Sequence, residues 1–216
     1  MNFLPIWKND YNKMIKKFLS FINIHPDKNQ SWLLISLVVS GLLITYAHPT
    51  LVKEIISNLP AQWIAFESLA ASIAGLFIGM IWQKNVRKKA IRYFFYLAFA
   101  ESLCGCLLGL YLCFINWNVW VFAIASLIYT TIISTFVGKC IMAFKAKLWV
   151  EKEREIYDNN MSIVSGIVCI VGYVFALVAL PSLKVSLFLW SVCCIFDDIG
   201  WLIVYTKNKK TLREIE

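Results

Sequence analysis

Four acidic residues stand inside stretches that are otherwise apolar: Glu67, Glu101, Asp197 and Asp198. A carboxylate at the centre of a bilayer costs about 2.5–3.5 kcal/mol on insertion scales, so acids at such places are candidates for function. Two chemistries suit them, carrying a proton and holding a cation; the bland alternative is a polar staple between helices. Asp197 and Asp198 are adjacent, so on a helix their side chains point about 100° apart and at most one faces Glu101 well. Three acids at one depth, with at most one base nearby, cannot all stay ionised cheaply. That base is Lys139, which either snorkels to the membrane surface or reaches toward the acids.

Other chemistry leaves no trace. The seven cysteines contain no C-x-x-C pair, all fall within apolar stretches, and read as small packing residues. Both histidines, His25 and His48, are expected outside the membrane, so neither a metal site nor a histidine-assisted nucleophile is expected within it. Ile163-Val164-Ser165-Gly166 lacks the first glycine of a rhomboid-type serine motif, and two adjacent aspartates cannot face each other as an intramembrane aspartyl protease requires. No glycine-rich phosphate loop is present. No catalytic residue, metal or cofactor is therefore expected.

The elements that must position the acids follow from composition. The 216 residues are 60% hydrophobic and 16% charged, with a mean hydropathy of +0.68. Soluble domains run nearer 45–50% apolar and about 25% charged, so lipid is the solvent here. A hydrocarbon core about 30 Å thick needs roughly 20 helical residues. Six stretches approach that length: Ser31–Ala47, Trp63–Trp82, Tyr93–Phe114, Asn118–Met142, Met161–Leu180 and Leu183–Thr206. The joints carry His48-Pro49, Asn58-Leu59-Pro60, Asn116-Trp117-Asn118, Asp158-Asn159-Asn160 and Pro181. The expected fold is all-α, a six-helix transmembrane bundle over 31–206, with a leader at 1–30 and a short basic tail at 207–216. In the leader, Leu4, Trp7, Tyr11, Met14, Ile15, Phe18 and Ile22 recur at helical spacing among lysines. That pattern suits an amphipathic helix lying in the inner headgroup layer, or one packed on the inner ends of the spans.

Orientation comes from Lys and Arg, which collect in cytoplasmic loops. Of the 21 such residues, all but Lys53 and Lys184 fall in the leader, the second loop, the fourth loop with its approach, or the tail. Both ends are therefore expected in the cytoplasm. The net charge of +8 is explained by anionic lipid headgroups at that surface, without nucleic acid. Counting from the inner ends, Glu101, Asp197 and Asp198 share a depth of roughly 12–13 Å at 1.5 Å per residue. Glu67 lies near the outer end of the second span.

The joint after the second span reads Gly79-Met80-Ile81-Trp82-Gln83-Lys84-Asn85-Val86-Arg87-Lys88-Lys89. It resembles the loop signature of the major facilitator superfamily, G-x-x-x-D-R-x-G-R-R/K. Gly79, Lys84, Arg87 and Lys88 match; Gln83 replaces the aspartate and Val86 the second glycine. The charged run Glu151–Glu155 before a span with Gly166 and Gly172 is similar as well. The resemblance implies one six-helix half of a transporter, spans one and four lining its cavity and spans three and six outside them. It further implies a second copy or a related half as partner, since alternating access needs two bundles. Arg87 is then expected to act structurally or as a gate. The leading expectation is a transporter-like protein of a plasma membrane, proton-coupled through the acids; richness in Lys, Asn and Ile suits a bacterium. The alternative is a membrane protein that binds a partner without transporting, such as a bacteriocin immunity factor or an accessory subunit.

Overall fold

The computed structural model describes residues 28–82, 90–129, 131 and 134–214, with side chains described within those stretches except at 28–31, 90–95, 134 and 210–214. The amphipathic leader and most of the loop signature lie outside the described residues.

Every described element is a helix: α1 Lys28–Asn58, α2 Gln62–Ile81, α3 Ala90–Phe114, α4 Val119–Ile128, α5 Ser134–Leu148, α6 Glu151–Val178 and α7 Leu183–Glu214. Five of them, all but α4 and α5, are long and apolar enough to cross a membrane. The protein is therefore an all-α, multi-pass membrane protein. The fourth expected span is occupied by α4 and α5 together, and Tyr129 and Thr131 lie in a wider, π-type turn between them.

Two expected joints turn out to be helix. The first span does not stop at Ala47 but runs through His48 and Pro49 to Asn58. Proline removes one backbone donor, which membrane helices tolerate when their neighbours compensate. Here the turn beyond Pro49 is anchored by buried Thr50 and Leu51, and the Thr50 hydroxyl donates to the Pro181 carbonyl at 2.8 Å. The fifth span likewise begins at Glu151, ahead of Met161. Glu153 accepts the Val150 N–H at 3.3 Å as an N-terminal cap, and Tyr157 and Asn160 are buried. The joint at Asn118 does hold: its side chain accepts the N–H groups of Trp120 and Val121 and starts α4.

The sixth span, α7, is the central helix, packed between α1 and α3, and α6 lies against the far side of α1. The short link between α6 and α7 thus joins two helices that hardly touch, with α1 between them. Matched contacts give directions. Ser36 meets Gly200 and Thr50 meets Pro181, so α1 and α7 are antiparallel. Gly41 meets Val168 and Gly172 meets Thr45, so α1 and α6 run parallel. Gly109 meets Ser191 and Ser102 meets Asp198, so α3 also opposes α7.

Small residues allow these approaches. A Cβ added to Gly109 would collide with the Ser191 hydroxyl and lie 2.9 Å from Trp190, and one at Gly105 would lie 2.8 Å from the Cys194 sulfur. This G-x-x-x-G therefore seats α3 on α7. The other pair, Gly75 and Gly79, meets nothing within 4 Å. Gly109→Val is accordingly expected to lower resistance to SDS unfolding in mixed micelles by about 1–3 kcal/mol. Gly75→Val is expected to change it by less than about 0.5 kcal/mol. Equal losses would mean that α2 packs in a way this arrangement lacks.

Candidate functional site

The acids on α3 and α7 meet as their depth implies, and the two aspartates diverge. Asp198 is buried against α3, where its Oδ2 accepts the Ser102 hydroxyl at 2.9 Å. Asp197 turns the other way, toward α1, with the Ser40 hydroxyl 3.5 Å from its Oδ1. It is exposed on the wall of a cavity of about 680 Å³. Glu101 is buried beside Asp198, and its Oε2 has no hydrogen-bond partner among the described residues. The Tyr129 hydroxyl reaches toward the Glu101 carboxyl. Since Tyr129 also lines the cavity, it stands between that space and Glu101.

The cavity is walled by α1, α2, α4, α6 and α7. Ser40, Thr45 and His48 come from α1, Glu67 from α2, Ser126 from α4, Ser165 from α6 and Asp197 from α7; Tyr129, which follows α4, completes the polar set. Leu37, Ile44, Leu51, Ile55, Phe122 and Trp190 make much of the rest apolar. It extends from the level of Asp197 to the end of the bundle that carries the α1–α2 joint, where Ile56 and Ile64 line it. No lysine or arginine is among its described lining residues.

Of the residues singled out in the sequence, Glu101 and Asp198 come together and Asp197 and Glu67 share the cavity. Lys139, half-buried on α5, makes no ion pair among the described residues, where the one ion pair joins Lys145 to Asp158 at 2.5 Å. Gly79 sits on α2 with open space before it, and Lys84, Arg87 and Lys88 lie outside the described residues. His48 was expected outside the spans but belongs to α1 and lines the cavity, 3.4 Å from the Tyr173 hydroxyl; reading Pro49 as a helix end displaced it. Ser102 carried no sequence signal beyond standing next to Glu101. No group of three or more His, Cys, Asp or Glu side chains among the described residues could hold a metal ion.

The arrangement offers two things chemically. One is a chamber with carboxylates on its wall. The other is a second, occluded carboxyl reached past one tyrosine. Comparison with protein-family models, with curated proteins and with solved structures finds no match for this chain.

Proposed function

We propose that the chain crosses a bacterial plasma membrane six times with both ends in the cytoplasm, and that it is a transporter-like bundle with proton-coupling carboxyls. The observation that carries this reading is Asp197 exposed in a cavity while Glu101 and Asp198 lie occluded directly behind it. Transporters place substrate and coupling sites near the middle of the membrane, between helices, with ionisable residues facing the site.

The span count is supported by direction. Because α3 and α6 both run parallel to α1, the chain between them must return across the bundle an odd number of times. Together α4 and α5 supply one such crossing. The partition of lysine and arginine then puts the α1–α2 joint outside and makes the cavity extend toward the outer face. Spans one and four are among those that line the cavity. The central, cavity-lining α7 departs from the plan that the facilitator resemblance implies, in which span six stands outside.

A second reading, a protein that binds a membrane partner without transporting, also accommodates α2. Its apolar window is only 6% buried, and Gly75 and Gly79 face open space. Such a face suits a helix of a second copy or a related half, so it fits a paired half-transporter equally well.

Thiol access separates the two. Cys169 lines the cavity, half-buried on α6. With the other six cysteines replaced, an impermeant maleimide is expected to label Cys169 both in intact cells and in inverted vesicles. Labelling confined to one side under all conditions would remove the transport reading and leave the partner-binding one.

A further inference from the structure

The lining of the cavity narrows what it would hold. It combines an exposed carboxylate at Asp197 with a second at Glu67, and its described lining has no lysine or arginine to offset them. An anionic solute would meet these groups with nothing to neutralise it. A small hydrated cation would satisfy the carboxylates but would leave most of the chamber empty, or filled with water against leucine and isoleucine.

The apolar part of the wall adds a demand of its own, for a solute with an apolar body. Phe122 and Trp190 pack edge to face with ring centroids 5.4 Å apart, and both border the cavity together with Tyr129. Phe122 and Trp190 are buried and back the wall, so Tyr129 is the aromatic with surface of its own there, beside the more open Ile44, Ile55, Ile56 and Ile64. At about 680 Å³ the space is in the range of small-molecule sites, about 300–1,000 Å³. His48 lies two helical turns from Ser40 along α1, beside the Tyr173 hydroxyl.

We propose that this cavity binds an amphipathic organic cation, its charge against Asp197 and its apolar body against the wall formed by Ile44, Ile55 and Ile64. The proposal rests on reading the cavity as a solute site; it does not require that the solute be carried across.

The test uses the purified full chain in lipid nanodiscs, without a gradient. Tetraphenylphosphonium is the cationic probe and tetraphenylborate its anionic counterpart of nearly the same shape; empty discs of the same lipid give the partition background. Saturable binding of the cation above that background is expected, with no saturable binding of the anion. Asp197→Asn keeps the side chain's size at an exposed position and is expected to weaken cation binding at least tenfold. Glu67→Gln is expected to weaken it less, because Glu67 lies nearer the outer end. Equal binding of both ions, no saturable binding of either, or unchanged affinity in Asp197→Asn would each overturn the proposal. Should the cation bind as stated while Cys169 is labelled from one side only, cation binding stands and transport falls. Two-sided labelling without cation binding would leave transport standing and remove the cation site.

Discussion

Glu101→Met should make the bundle harder to unfold and at the same time silence it. Glu101 is 5% exposed, and its Oε2 lacks a partner among the described residues. A buried polar atom without a hydrogen bond costs about 1–3 kcal/mol. Methionine is close in length and flexible, so it can fill the same space without that cost. A gain of about 1–2 kcal/mol in SDS unfolding free energy is expected. Tyr129 would lose the carboxyl it reaches toward, which offsets part of that gain and is why the upper end of the range is not expected. Two-sided labelling of Cys169 should be lost if Glu101 is the proton-carrying group.

Asp198→Ala should behave oppositely. Its carboxylate holds the Ser102 hydroxyl across the α3–α7 contact at 2.9 Å. Hydrogen bonds between membrane helices contribute about 0.6 kcal/mol on average and up to about 1.7. The loss expected from Asp198→Ala is therefore about 1–2 kcal/mol once the space it vacates is included. The two acids would then divide the roles that the sequence left undivided, with Asp198 as the staple and Glu101 as the strained, exchangeable group. A Glu101→Met bundle that unfolds more easily than the natural one would return Glu101 to the staple.

What was legible in the sequence is what depth and charge alone dictate. The apolar runs, the joint at Asn118 and the common depth of Glu101 and the two aspartates needed only rise per residue and the cost of charge in lipid; which aspartate turns toward α3 did not show. Lateral order was hidden. The windows of α2 and α7 have the same hydropathy, 1.9, yet 6% of one and 50% of the other is buried. Lipid and neighbouring helices are equally apolar, so hydropathy cannot tell an outer helix from a central one. The central place of α7 shows instead in small residues on its partners, Gly105 and Gly109, whose contacts become known only once the helices are assembled. Tyr129 was visible as a polar residue of the fourth span, but its reach to Glu101 depends on where the bundle places α4, beside α1 and α2 and with Phe122 against Trp190 of α7. His48 was lost to a rule about proline that holds better in water than in a bundle, where Thr50 and Pro181 carry the chain past the break.

The crossing of α1 and α7 at Gly200 should be the least forgiving, because a backbone carbonyl stands among its neighbours. At Gly200 an added Cβ would lie 2.7 Å from the Ser36 Cβ, 3.0 Å from its hydroxyl oxygen and 3.0 Å from the Trp32 carbonyl oxygen. The Ser36 hydroxyl donates to the Phe196 carbonyl, and it accepts the Gly200 N–H at 3.2 Å. One serine thus ties α1 to two successive turns of α7, one turn from Asp197. Gly200→Val must push α1 away, because the carbonyl is backbone and cannot rotate aside. The expected loss is about 3 kcal/mol, the upper end for overpacking, and Asp197 should shift with it, so the mutant should also lose the probe cation. Ser36→Gly removes two of the three colliding atoms. On its own it should cost about 1 kcal/mol for the lost hydrogen bonds. Combined with Gly200→Val it should recover part of the stability, leaving the clash with Trp32. Sites in contact couple by 0.5–3 kcal/mol, whereas independent ones add within about 0.3–0.5 kcal/mol. A double mutant whose loss equals the sum of the single losses would mean that Ser36 and Gly200 do not touch, and the seating of α1 on α7 would have to be redrawn.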